Sequence, residues 1–139
     1  MNQIVRKLFC MIMLIMPFDF ACGAQIDSEL ENQLKAKLDG ASKQERYTEL
    51  AYRYRMYESQ MRSYAGSMIR LKNDIKSLED AIKISKAMGG DGSEIKSTLD
   101  AYNASLVENK KFFDQSKAKL DTVIKLAIKY DVPVDILGK

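Results

Sequence analysis

The sequence predicts an all-α fold: a long antiparallel coiled-coil helical hairpin with a short N-terminal helix packed at its open end. Three observations point there. No proline lies between Gln25 and Val132. Glycine is sparse until one cluster, Gly89-Gly90-Asp91-Gly92, which reads as a turn. On both sides of that cluster apolar residues recur at alternating steps of three and four, the 3.5-residue period of a coiled coil.

The first 24 residues form a distinct segment. Arg6 and Lys7 precede eleven uncharged, mostly apolar residues from Leu8 to Phe18, and the segment closes on Ala21-Cys22-Gly23-Ala24. This is the charged, apolar and small-residue order of a secretory signal peptide. Eleven helical residues span about 16 Å, against about 30 Å of hydrocarbon in a bilayer, so no transmembrane span is expected. Cleavage after Ala24 or Gly23 makes the chain an exported protein, periplasmic or secreted. The alternative reading acylates Cys22 and leaves a lipid-anchored protein in the cell envelope. Ala21 and Gly23 on either side of Cys22 suit that pattern, whereas Asp19 and bulky Phe20 do not.

Removing the segment takes away Arg6, Lys7 and Asp19, so the net charge falls from +3 to +2. It also takes both cysteines, Cys10 and Cys22. A chain without thiols suits an oxidising compartment.

Residues 25–41 are expected to hold the short helix. Ser28 with Glu31 has capping-box spacing, and Leu30, Leu34 and Leu38 lie on one stripe that ends at Gly40. The stripe needs a surface to cover. Ile124, Leu126 and Ile128, off the seam of the last helix, offer one at the hairpin's open end.

Residues 42–131 are the hairpin, as helices 42–88 and 93–131 around the turn 89–92. The first seam is Tyr47, Leu50, Tyr54, Tyr57, Met61, Tyr64, Met68, Leu71, Ile75, Leu78 and Ile82. The second is Ile95, Leu99, Tyr102, Leu106, Asn109, Phe113, Ser116, Leu120, Val123, Ala127 and Tyr130. Only Asn109 and Ser116 among these 22 positions are polar. A composition that is 46% hydrophobic would fill about ten of them by chance, so the pattern is selected. Ser42 with Glu45 caps the first helix, Ser93 is expected to cap the second, and Pro133 stops it. Folding about residue 90 places Leu71 near Leu106 or Asn109, and Met61 near Ser116 or Leu120. Residues 132–139 read as a short, frayed tail, with the alternative that Val132, Val134, Ile136 and Leu137 lie along the base.

Composition excludes most chemistry. With no histidine there is no imidazole base and no histidine-ligated metal, and a two-helix rod offers no pocket to perturb a carboxylate pair. The protein is therefore expected not to be an enzyme and to hold no cofactor or metal. The small net charge argues against nucleic acid.

One bias does point to function. All five arginines beyond the signal segment, Arg46, Arg53, Arg55, Arg62 and Arg70, lie on the first long helix, with five of the seven tyrosines. Tyrosine and arginine are enriched at protein-binding hot spots. Tyr47, Tyr54, Tyr57 and Tyr64 belong to the seam, but Tyr52 falls at an outward position. Tyr52, Arg53, Arg55 and Arg62 are accordingly the candidate interaction patch. The expected role is a structural or adaptor component of a cell-envelope assembly, such as a secretion, conjugation or pilus apparatus. It would work through contacts with other proteins or with itself. The two long helices also resemble the tentacle hairpins of Skp-type chaperones, which implies a periplasmic holdase as an alternative, although their strand-rich body has no counterpart here. A membrane-tethered immunity or exclusion lipoprotein is the third reading and depends on Cys22.

Overall fold

The computed structural model describes the backbone of residues 18–139 and the side chains of 28–139. Residues 1–17, most of the expected signal segment, lie outside the described residues, and so does the Cys22 side chain. The described residues are mostly helical and contain no strand. Helix α1 spans Phe18–Leu38, α2 Lys43–Ala87 and α3 Ser93–Lys129, followed by a 3-10 turn at Val134–Ile136. The two long helices, α2 and α3, pack against each other. The chain divides into two compact units, one of Met1–Ala51 with Asp121–Lys139, the other Tyr52–Leu120.

The first unit contains nearly all of the buried apolar side chains. Leu34 and Leu38 of α1 are buried one turn apart, as their stripe predicts, and Leu30 is half-buried. Leu50 and Ala51 from α2, and Val123, Leu126 and Ala127 from α3, complete the core with Val132 and Leu137 of the tail. Leu126 is buried although it lies off the heptad seam. Polar contacts join the same segments. Lys37 Nζ lies 2.9 Å from Glu49 Oε2, and Lys125 Nζ lies 3.1 Å from Glu31 Oε2. Arg46 Nε donates to the Leu38 carbonyl at 2.9 Å, satisfying one orphan acceptor at the α1 C-terminus. The Arg46 guanidinium also sits 5.1 Å from the centre of the Tyr130 ring, and the Tyr130 hydroxyl is hydrogen-bonded to Asp39.

Two sequence expectations for this unit need correction. α1 begins at Phe18, so Ser28 lies inside a helix and does not cap one. Ala21, Ala24 and Gln25 are good helix formers and Pro17 stands ahead of the first turn, so nothing in the sequence ends the helix before Ser28. Glu31, freed from a capping role, takes Lys35 and Lys125; hydrogen bonding first to Lys35 and then to Lys125 holds its carboxyl below the usual range. The tail is also better ordered than a frayed end. Asp131 adopts φ 54°, the Val132 amide donates to the Ala127 carbonyl at 2.9 Å, and the Asp131 amide donates to Ile128 at 3.3 Å. This Schellman motif ends α3 at Lys129, two residues short of the expected 131, and turns Val132 and Leu137 inward.

The second unit is built from the middle of α2, the turn and most of α3. Its cross-helix contacts descend along α3 as they ascend along α2. Lys119 Nζ lies 5.7 Å from the Tyr57 ring centre, Ser116 Oγ donates to Gln60 Oε1 at 3.4 Å, and the Tyr64 and Phe112 rings stack at 5.5 Å. Farther on, Ser67 and Leu71 share a surface hollow with Ser105 and Asn109. Leu71 thus lines this hollow with Ser105 and Asn109, where the sequence predicts Leu106 or Asn109 as its neighbours. Of the two polar seam residues, Ser116 is buried and reaches the other helix. The Asn109 amide instead donates to the Ser105 carbonyl of its own helix.

Both ends of the glycine turn follow from backbone chemistry. Gly89 at φ 87° and the Gly90 amide bonded to the Ser85 carbonyl at 2.9 Å close α2 with a second Schellman motif. The start of α2 has the expected capping box: Glu45 N–H donates to Ser42 Oγ at 3.3 Å, and Ser42 N–H donates to Glu45 Oε2 at 2.8 Å. The start of α3 differs from expectation. Ser93 is already helical, the Gly92 carbonyl accepts the Lys96 amide at 3.0 Å, and the Asp91 carboxylate accepts the Ser93 amide at 2.9 Å.

A pH dependence follows. Hydrogen bonding by the Ser93 backbone, then its side chain, lowers the Asp91 pKa, and Ser42 does the same to Glu45. A carboxylate whose pKa is depressed by folding contributes stability above its unfolded value, about 4. That contribution is lost as pH falls through the lower folded value. Urea midpoints should therefore be flat from neutral pH down to about pH 5 and decline below about pH 4. Asp91→Asn should make the decline shallower; an identical slope would remove Asp91 from the cap.

Candidate functional site

The tyrosine–arginine cluster of α2 separates into structural and exposed members. Arg46 belongs to the first unit, where it holds the α1 C-terminus and the Tyr130 ring. Tyr57 is buried in the second unit, while Tyr54 and Tyr64 are half-buried. Tyr52 remains 57% exposed, because an outward helical position places its ring away from the seam.

Helical spacing groups the patch residues. Tyr52, Arg55, Ser59 and Arg62 follow at steps of three, four and three, so they form one stripe, and all four are exposed. Arg53 lies on the neighbouring stripe and is half-buried, with its guanidinium 5.8 Å from the Tyr52 ring centre. Arg62 makes an ion pair with Glu58 one turn earlier at 2.8 Å, an exposed pair that costs little to exchange. Arg70 donates to Ser67 Oγ at 3.3 Å and continues the Arg53 side of the helix. The structure thus brings Tyr52, Arg53 and Arg55 together within one turn and sets Arg62 at the far end of the same stripe.

The arrangement is suited to recognition. An exposed ring beside a guanidinium presents a flat apolar surface with a fixed positive edge, which takes a partner's aromatic or carboxylate side chain. Two hollows have different chemistry. One, of about 590 Å³, is lined by Lys43, Gln44, Tyr47, Val132, Pro133 and Ile136. The Tyr47 hydroxyl there already donates to the Ile136 carbonyl at 3.4 Å, and Lys43 is the one charged residue among the described residues that line it. The other, of about 380 Å³, lies in the second unit and is lined by Met68, Leu106, Val107 and Phe113, with Lys72, Lys110 and Asp114 at its rim. Among the described residues no three cysteine or carboxylate side chains converge as a metal site would require, and no helix is long and apolar enough to cross a membrane.

The chain matches no family model, no curated protein and no solved structure. Its function has to be read from its own surface.

Sequence reasoning overlooked the second hollow. Ile69 and Val107, 62% and 71% exposed, lie one position beyond a seam residue on each helix. Large apolar residues just off a regular seam were the available signal, and it was used only at the end of α3.

Proposed function

We propose that this is an exported, non-enzymatic helical protein that acts through protein contacts, as a structural or adaptor component of a cell-envelope assembly. In this reading α2 and α3 form an antiparallel coiled-coil hairpin, with α1 packed at its open end. The opposite-sense order of the Tyr57–Lys119, Gln60–Ser116 and Tyr64–Phe112 contacts supports the hairpin. Burial of Leu34, Leu38 and Leu126 supports the packed base. Export rests on the pattern of residues 1–24 alone.

The observation that carries the contact role is exposed Tyr52 beside Arg53 and Arg55, on a helix whose other tyrosines are wholly or partly buried. The holdase reading is favoured by one feature, the open apolar hollow at Met68 and Val107.

A photo-crosslinking residue at position 52, compared with one at exposed Ser77, tests the proposal in the native host. The expected result is a protein recovered from the envelope fraction, beginning near Gln25, with a discrete adduct from position 52 and none from 77. Arg55→Ala should reduce that adduct without changing the Tm. An intact Met1 in the cytoplasmic fraction would overturn export, and equal or absent crosslinking at the two positions would overturn the patch.

A further inference from the structure

The second unit has an uncovered apolar face. Within Tyr52–Leu120 the only buried residues are Tyr57, Gly92, Ser116 and Leu120, and the seam from Met61 to Ile82 is half-exposed throughout. One side of the two helices is polar, where Ser67, Arg70 and Asp74 meet Ser105 and Asn109 around Leu71. The other side carries the groove floored by Met68, Leu106 and Phe113, with Val107 on its wall. Two helices with one apolar side form a layer that needs a second layer over it.

The charges around this face identify the second layer. Val107 and Asp114 line the groove, and Asp100 continues their seven-residue spacing on α3. On α2, Arg62, Ile69 and Lys76 keep the same spacing, with Ile69 one step past the groove's Met68 and one turn before its Lys72. Counted from the Tyr64–Phe112 stack, Arg62 is level with Asp114, Ile69 with Val107, and Lys76 with Asp100.

We infer that this face binds a second copy of the chain, related by a twofold axis parallel to the helices. Such an axis preserves levels and lays α2 of one copy over α3 of the other. Arg62 then meets Asp114 of the second copy, Ile69 meets Val107 of the second copy, and Lys76 meets Asp100 of the second copy. Two opposite-charge pairs bracket an apolar pair, and the symmetry repeats all three. Met68, Leu106 and Phe113 become the shared interior of a four-helix layer pair. Arg62 and Asp114 exchange their present exposed partners, Glu58 and Lys110, for each other. The pairing deepens the protein-contact reading above by naming one partner; it takes Arg62 from the far end of the Tyr52 stripe and leaves Tyr52, Arg53 and Arg55 to their own experiment.

The test is sedimentation equilibrium of the full chain at tens of micromolar, on wild type, Ile69→Glu and Val107→Lys. Both positions are exposed in the single chain, so circular dichroism should show unchanged helicity. Wild type should sediment at twice the chain mass. Each variant alone should sediment at the chain mass, its self-association weakened on the order of 100-fold by setting a charge against an apolar residue. An equimolar mixture of the two variants should restore the doubled mass, because the introduced carboxylate and ammonium then face each other while the remaining Ile69–Val107 pair is intact. A monomeric wild type would overturn the proposal, including one that binds unfolded clients through the groove. Variants that associate as tightly as wild type would do the same, and a mixture that stays monomeric would overturn the twofold register.

Discussion

Replacing Leu126 by Ala should destabilise the protein by about 2–5 kcal/mol, the range for emptying a leucine-sized space in a core that closes only partly around it. Leu126 has no measurable exposure and shares its unit with Leu34, Leu38, Leu50 and Val123, all similarly buried. For a chain of this size the loss corresponds to a fall in Tm on the order of 10 °C. Ile128, two residues on and 69% exposed, is the control: Ile128→Ala should change stability by no more than about 0.5 kcal/mol. The pair discriminates because both residues lie off the heptad seam and are equally apolar. Equal effects at the two positions would show that α3 does not present this face to the core.

The second large effect concerns the other unit. Leu71 and Ile75 lie mid-seam on α2, both half-buried, with Leu71 beside Ser105 and Asn109. Substituting Asp at both should remove much of the helical signal at 222 nm at 25 °C. Each introduced carboxylate loses part of its hydration, at a cost of roughly 1–3 kcal/mol even where partial compensation occurs. The unit has little reserve against that cost, because Tyr57 and Leu120 are its only buried large side chains. Unchanged helicity and Tm would mean that the seam contributes nothing to holding α2 against α3.

What could be read from the sequence tracks how local the controlling physics is. The glycine turn and the Ser42–Glu45 box act within a few residues, and each is where the sequence placed it. Glu31 was misread because a capping box and a mid-helix ion-pair site share the same Ser-x-x-Glu spacing. The helix start at Phe18, and Lys125 reaching Glu31 from far along the chain, distinguish them. The Asp131 turn was missed for a related reason: its left-handed conformation is usually supplied by glycine or asparagine, and Asp131 adopts it under the pull of buried Val132 and Leu137. For the candidate patch, sequence separated outward Tyr52 from the seam tyrosines. It had no means of assigning Arg46 to the first unit, because that role is set by the Leu38 carbonyl and the Tyr130 ring.

The first unit draws α1 and the start of α2 together with Asp121–Lys139, and this has a consequence for synthesis. Two of its contacts, Tyr47 with Ile136 and Glu31 with Lys125, join residues 89 and 94 positions apart. Those of the glycine turn join residues a few positions apart and close as soon as they emerge. Loop-closure entropy therefore orders assembly from the turn outward. Leu34 and Leu38 are made before α2, whereas their core companions Val123, Leu126 and Leu137 are translated only after it. Until the stretch from Asp121 onward has left the ribosome, the leucine stripe of α1 stays uncovered and within reach of whatever escorts a nascent polypeptide.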